Sequence, residues 1–278
     1  MADWPLGLGQ QKHSLEGEVS AGTTGTLINS ASGSANTKGS WTELSASLPF
    51  NANGFWLDMP DLSAAAFRSF LLDIGIGAAA SEVVVVPNIL LNPKATPWVT
   101  GPLWFPIRLP VGARLAARIQ CDSATQSGAR ILVRPASQSW VTPESFGRAT
   151  DYGVNTSTSL GVTVDPGGSV DTYGSWTELI ASTTYRIRAL SVFLSSLSNG
   201  TMTNALWRFD IGVGAAASEV VFLEGIQLVG NTAEVLCPQW VGPFGLDLPA
   251  GSRLAMRARC SINDATDRLI AAGLVGFD

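Results

Sequence analysis

Polar and apolar residues alternate strictly along one short stretch in each half of the chain. In Arg114–Cys121 and again in Arg253–Cys260, every second side chain is apolar, and the residues between them are Arg, Ala or Gln. A β-strand directs successive side chains to opposite faces, so this period of two predicts two half-buried strands. Cys121 and Cys260 end the apolar face of each strand, where we expect a reduced thiol to pack as a small hydrophobe.

Seven further stretches of the first half have strand character and are separated by Gly, Pro, Ser and Asn. They are Thr26–Asn29, Trp41–Leu48, Phe55–Met59, Phe67–Ile76, Glu82–Leu91, Leu103–Leu109 and Ala129–Val133. No stretch keeps a helical period over the roughly 10 residues that a helix needs, and Ser63–Arg68 is the best candidate for a helical turn. About eight short strands predict a two-sheet antiparallel β-sandwich, with a jelly roll as the most economical topology.

Three segments of the first half recur, in the same order, in the second half. They are DIGIGAAASEVV (Asp73–Val84), which returns as DIGVGAAASEVV (Asp210–Val221), GSWTEL (Gly39–Leu44), which returns unchanged at Gly174–Leu179, and LPVGARLAAR (Leu109–Arg118), which returns as LPAGSRLAMR (Leu248–Arg257). A period of half the chain predicts two complete domains from an internal duplication rather than a solenoid. We place the first sandwich, with an N-terminal arm, in residues 1–136, and the second, with the inter-domain connector, in 137–278.

Composition and charge exclude several classes of protein. The net charge is −5, and the 17 Lys and Arg residues form no cluster, so a nucleic-acid partner is not expected. No apolar run reaches the roughly 20 residues of a membrane helix, and residues 1–18 show no secretory signal, so we expect folding in a cytoplasm without a membrane partner. Cys121, Cys237 and Cys260 fit neither a disulfide framework nor a zinc site.

Few residues could carry chemistry. Asp73 with Glu82, and Asp210 with Glu219, could form carboxylate pairs for acid catalysis or for binding of Ca²⁺. The alternative, purely structural interpretation is a buried Asp that binds the backbone amides of the corner. GIGAAAS lacks the helix of a dinucleotide loop, and His13 is the only histidine. We therefore expect no catalytic residue, no cofactor, no metal and no enzymatic activity, while a cation at the two carboxylate pairs stays open.

Nine tryptophans raise the alternative of a carbohydrate-binding module, because aromatic faces stack on sugar rings. The duplicated candidates are Trp41 with Trp176 and Trp98 with Trp240. Trp41 lies on the same strand face as Glu43, which favours exposure. Packing at the sandwich ends or between domains is the competing interpretation of all four.

A resemblance favours a structural role. The run LLDIGIGAAASEVVVVPNIL, followed by GP and by FPIRLPVGARLAARIQ, resembles β-sandwich proteins among the structural genes of tailed bacteriophages, which decorate heads or build tails and fibres. The resemblance implies a virion protein that is assembled in the bacterial cytoplasm and forms homo-oligomers, with a trimer favoured. It also implies contact with another virion protein, such as the major capsid protein or a tail protein, and it transfers no functional residue.

The repeat makes one further prediction about the N-terminal stretch. The connector Trp140–Thr158 is aligned with Trp4–Gly22, which carries the apolar residues Trp4, Pro5, Leu6 and Leu8. Such residues are poorly placed on a solvated tail, so we expect them to form an arm that docks on another subunit or virion protein. The alternative is that the arm folds back on its own sandwich.

Overall fold

Every regular element in the described part of the chain is a β-strand. The computed structural model describes residues 25–62, 68–91, 102–137, 145–196, 205–229, 239–262 and 268–278, and within these ranges no helix could cross a membrane. The strands are β1 (Thr26–Asn29), β2 (Thr42–Ser45), β3 (Gly54–Leu62), β4 (Phe70–Ile76), β5 (Val83–Leu91), β6 (Leu103–Phe105), β7 (Leu115–Cys121), β8 (Gly128–Ala136), β9 (Ala149–Tyr152), β10 (Val154–Asn155), β11 (Leu160–Val164), β12 (Thr177–Ile180), β13 (Ile187–Ser196), β14 (Leu206–Val213), β15 (Val220–Val229), β16 (Gln239–Leu248), β17 (Leu254–Cys260) and β18 (Ile270–Phe277).

The first half forms two four-stranded antiparallel sheets with the orders β1-β8-β3-β6 and β2-β7-β4-β5. Successive strands from β1 to β4 alternate between the two sheets, as in a jelly roll. Apolar side chains such as Phe55, Phe105 and Ile131 from one sheet and Phe70 and Ile119 from the other form one buried cluster. The predicted antiparallel β-sandwich class is therefore confirmed, and we call this half the first sandwich.

The second half, which we call the second sandwich, has the sheet orders β11-β18-β13-β16 and β12-β17-β14-β15. The first of these sheets gains β10 beside β11, and β9 pairs with β18. Its core contains Trp207, Phe209, Met256 and Leu274. The strand order matches the first sandwich element by element, while the gene duplication and the boundary at residue 136 stay predictions.

Strand positions agree closely with the alternation of the sequence. β1 coincides with the predicted Thr26–Asn29, and β5 and β7 begin one residue after their predicted starts. The predicted and observed strand ends differ most where apolar residues continue past the last hydrogen bond of the ladder. An example is β6, which ends at Phe105 although Ile107 and Leu109 are also buried. The candidate helical turn falls mainly on residues 63–67, outside the described residues. Cys121 and Cys260 are buried and form no disulfide within the described part of the chain, and Cys237 lies outside the described ranges.

An aromatic junction joins the two sandwiches. The Trp240 ring lies 3.9 Å from Phe193 and 4.7 Å from Phe105, measured between ring centroids. Phe146, just before β9, stacks on Phe277 of β18 at 6.1 Å. Because Phe105 belongs to β6 and Phe193 to β13, apolar burial links the two cores directly, which fixes the second sandwich against the first.

Candidate functional site

Two buried aspartates lie on the outer faces of equivalent sheets. Asp73 of β4 is 3% exposed, and its carboxylate accepts hydrogen bonds from the Lys38 ammonium at 2.7 Å, the Arg118 guanidinium at 2.8 Å and the Asn88 amide at 2.9 Å. Asn88 lies where the β4–β5 register shifts, with a φ of 45°. The carboxylate therefore holds the bulge of β5 in place and pairs with two cations.

Asp210 of β14 makes the matching contacts in the second sandwich. Its carboxylate accepts hydrogen bonds from Gly225 at the bulge of β15 at 3.1 Å, from the Tyr173 hydroxyl at 2.9 Å, and from two nitrogens of Arg257 at 2.8 and 3.0 Å. Tyr173 thus takes the place of Lys38. The Arg257 guanidinium also lies 4.3 Å from the Tyr173 ring centroid and 4.7 Å from that of Trp176.

The structure corrects the expectation that these aspartates bind the amides of the GAAAS corner. The corner closes through its own backbone, because the Ser81 amide donates to Ala78 at 2.9 Å and Ala80 adopts a φ of 65°. The amide bound by Asp73 lies within β5, at the bulge residue Asn88, and not in the corner. A bulge needs an acceptor for its unpaired amide, and the buried carboxylate supplies it.

The glutamate of each possible carboxylate pair binds an arginine. Glu82 binds Arg114 at 2.7 Å, and Glu219 binds Arg253 at 2.7 Å, whereas Asp73 and Asp210 bind Arg118 and Arg257. Arg114 also binds Glu43 at 2.6 Å, which explains why the Glu of GSWTEL recurs. Within the described residues, no three His, Cys, Asp or Glu side chains are grouped closely enough for a metal ion.

The outer face around Asp73 is covered by the second sandwich. Asn88 donates to Asp151 of β9 at 3.3 Å, and the Gln120 amide donates to the Thr156 carbonyl at 2.7 Å and to the Ser159 hydroxyl at 2.9 Å. We call residues 151–159 the docking segment. It makes the sheet β2-β7-β4-β5 a surface that carries another sandwich.

Burial at this contact shifts two ionisable groups in opposite directions. It lowers the pKa of Lys38 against the opposing effect of Asp73, and it raises the pKa of Asp151, an effect to which the Asp73 charge adds. The Asp151 carboxylate is therefore a charge that the folded protein tolerates poorly.

Replacing Asp151 with asparagine should raise the melting temperature at neutral pH. A raised pKa in the folded state means that this group stabilises the fold below its unfolded pKa, near 3.9, and that this contribution is lost as the pH rises through the folded pKa. Melting curves from about pH 3 to pH 8 should show the Asp151→Asn variant equal to the native chain in acid and more stable at neutral pH. A variant that is less stable only at neutral pH would contradict this.

Three of the tryptophans proposed for sugar stacking, Trp41, Trp176 and Trp240, lie in the described part of the chain and pack against neighbouring residues. The six-membered ring of Trp41 lies against Gly75, whose added Cβ would come within 2.6 Å of it, and Arg118 lies 4.6 Å from the ring centroid. Trp176 packs equivalently on Gly212 beneath Arg257. Trp240 belongs to the aromatic junction. Trp240 thus packs between the two sandwiches, while glycan stacking by Trp41 and Trp176 stays a prediction.

Several predicted residues fall outside the described residues. They are the arm residues Trp4, Pro5, Leu6 and Leu8, the histidine His13 and the glycan candidate Trp98.

No protein-family model matches the chain, and no curated protein matches it. Solved structures do, at low similarity. PNGF-II aligns with 95% of this chain at 9% identity and a TM-score of 0.41, and the chain spans 65% of PNGF-II. PNGase F, a glycosylasparaginase from Flavobacterium meningosepticum, aligns with 97% of this chain and 96% of its own at 7% identity and a TM-score of 0.32.

Other matches are to a carbohydrate-binding protein and to viruses. The CBM22-1-CBM22-2 tandem of Paenibacillus barcinonensis Xyn10C aligns with 97% of this chain and 91% of its own, at 12% identity and a TM-score of 0.28. A structure of infectious bursal disease virus aligns with 96% of this chain and 71% of its own, at 9% identity and a TM-score of 0.25. These likenesses concern the β-sandwich fold alone.

The matches to PNGase F correct the expectation that the chain is not an enzyme. A glycosylasparaginase is among the solved structures that align with this chain at low similarity. The exclusion rested on the absence of a recognisable catalytic motif, and motif searches do not find sites assembled from distant strands.

Analysis of the sequence missed two arginines that distinguish the two outer faces. Arg208 of β14 and Arg259 of β17 are direct cross-strand neighbours, at the positions of Leu71 and Gln120 in the first sandwich. The sequence motifs were chosen from residues that are identical in the two halves of the chain, and these two positions differ between the halves. Comparing the positions at which the copies differ would have found both arginines.

Proposed function

We propose that the chain is a structural component of a virus particle, of the tailed-bacteriophage kind indicated by the resemblance, and that it works by docking sandwich on sandwich. One observation supports this most directly. The outer face of β2-β7-β4-β5 carries the docking segment of the second sandwich through Asn88 and Gln120. The fold thus uses this face for sandwich-to-sandwich contact inside one chain.

The second sandwich has an equivalent face that no described residue of the chain covers in the same way. On β12-β17-β14-β15, Gln227 and Glu224 are exposed, and Arg208 and Arg259 are half-buried. The equivalent Leu71, on the covered face, is fully buried. A surface of this kind suits contact with a neighbouring subunit, and homo-oligomers and contact with a capsid or tail protein are part of the proposal.

Electron microscopy with a gold-labelled antibody tests the proposal directly. We expect label at regular positions on particles that are released from bacterial cells carrying the gene, with assembly of those particles in the cytoplasm. Label confined to cell debris, with particles unlabelled, would contradict a virion role. The position of the label on head, tail or fibre would assign the part of the particle.

Glycan binding is a second candidate function, favoured by a polar depression at the end of β1 and the start of β2. Its cavity volume is about 370 Å³, and its lining includes Ser30, Lys38, Thr42 and Gln126. Hydroxyl, amide and ammonium groups of this kind hydrogen-bond sugar hydroxyls. A glycan array with the native chain and a Lys38→Met variant would support this candidate if specific binding were present and lost in the variant.

A further inference from the structure

The outer face of the second sandwich carries three arginines, Arg208, Arg257 and Arg259, beside Gln227. We call these four residues the arginine face. Arg257 is neutralised by Asp210 at 2.8 Å. Arg259 has one hydrogen bond, to the Asp171 carbonyl at 3.4 Å, and its Nε is buried without a partner among the described residues. No described carboxylate forms an ion pair with Arg208 or Arg259, in a chain whose net charge is −5.

The register places Arg208 between Gln227 on one side and Arg259 on the other. Like charges directly opposite each other in an antiparallel pair are destabilising, so this arrangement disfavours an empty face and favours an anionic partner. Asp171 and Glu224 lie exposed at the edge of the face. A positive surface would be repelled by the arginines. An apolar surface would remove water from the guanidinium groups without giving them a partner.

The equivalent positions in the first sandwich form the covered contact. Leu90, Leu71 and Gln120 stand in the same cross-strand row and are 2%, 0% and 2% exposed. Val154 of the docking segment packs on the cluster that contains Leu71 and Leu90. The contact inside the chain therefore combines apolar packing with hydrogen bonds from Gln120, whereas the arginine face would receive a segment of opposite charge.

The repeat identifies such a segment. When Gly17 is aligned with Gly153 and Gly25 with Gly161, the docking segment corresponds to Leu15–Thr23. This stretch carries Glu16 and Glu18, and Glu18 stands where the docking segment has Val154. Relative to the contact inside the chain, Arg208 stands in place of Leu71 and Glu18 in place of Val154, so these two positions carry opposite charges, while Leu15 stands in place of Asp151.

We propose that the arginine face binds the segment Leu15–Thr23 of a second copy of this chain, so that the contact between the two sandwiches is repeated between subunits. The inference rests on the proposed structural function and specifies its interface. A contact between different surfaces of identical chains is heterologous, so it closes into a ring or continues as a filament. Salt weakens it, because two or more ion pairs hold it together.

A double-mutant cycle tests the interface in the full chain. Sedimentation velocity over a range of concentrations measures self-association of the native chain, of Arg208→Glu, of Glu18→Arg and of the variant with both changes. We expect each single reversal to weaken association about tenfold or more, and the combined variant to recover most of the loss, since the pair is restored with exchanged signs.

Arg186→Glu is the matched control, because Arg186 and its partner Asp247 are 59% and 64% exposed on the same sandwich, away from the arginine face. We expect it to associate like the native chain. A native chain that stays monomeric at all concentrations, or reversals that change nothing, or a combined variant that recovers nothing, would each overturn the interface. Gold label on particles would still support the virion role in those cases, so the two proposals fail separately.

Discussion

Replacing Gly174 with alanine should destabilise the second sandwich by roughly 3 kcal/mol, the upper end of the usual cost of overpacking. Gly174 begins the repeated GSWTEL stretch, and a Cβ there would lie 2.3 Å from the carbonyl oxygen of Asp165 and 2.9 Å from the carbonyl carbon of Pro166. Both atoms are backbone, so no side chain can move aside. The Gly174 amide also donates to Ala258 at 2.9 Å, which holds the segment against β17.

Thermal unfolding measures this effect, with a fall in melting temperature of about 10 °C expected for a domain of this size. Gly168→Ala is the matched control, because Gly168 lies in the same loop with open space where its Cβ would stand. The control should change stability by less than about 0.5 kcal/mol. Equal melting of the two variants would show that the close approach at Gly174 is not required.

The second large effect is expected from Asp210→Asn, at about 1 to 3 kcal/mol of lost stability. In the native chain, the Arg257 guanidinium donates two hydrogen bonds to one oxygen of the Asp210 carboxylate. The Asn side chain keeps one acceptor oxygen, but its amide nitrogen would place a donor against this guanidinium. Arg257 is 29% exposed at its side chain, so water screens part of the loss. The bulge amide of Gly225 also loses a charged acceptor.

Denaturant unfolding of Asp210→Asn, compared with Asp247→Asn, measures that loss. Asp247 pairs with Arg186 where both side chains are more than half exposed, so its replacement should cost less than about 0.5 kcal/mol. Asp73→Asn should behave like Asp210→Asn, because Asp73 has the same bulge and arginine partners. A loss no larger than that of Asp247→Asn would show that the buried carboxylates do not stabilise the bulges.

Each residue type of the repeated motifs has a separate physical task in the fold. The Gly of GSWTEL permits a close backbone approach, its Trp covers Gly75 or Gly212, and its Glu binds Arg114 or Arg253. The Asp of DIG fastens a bulge. The types of these residues could be read from the sequence, but the partners of their polar side chains lie far away along the chain and on other strands, so the contacts could not.

The strands and the fold class follow from the sequence alone, because alternation with a period of two reflects which side chains face a core within a single strand. Which outer face is covered and which is open depends on tertiary contacts. Leu71 and Arg208 stand at equivalent places in β4 and β14, and their different surroundings depend on the docking segment, which reaches the first sandwich from the next one. Local periodicity contains no information about contacts between sandwiches, since these depend on how two finished surfaces meet.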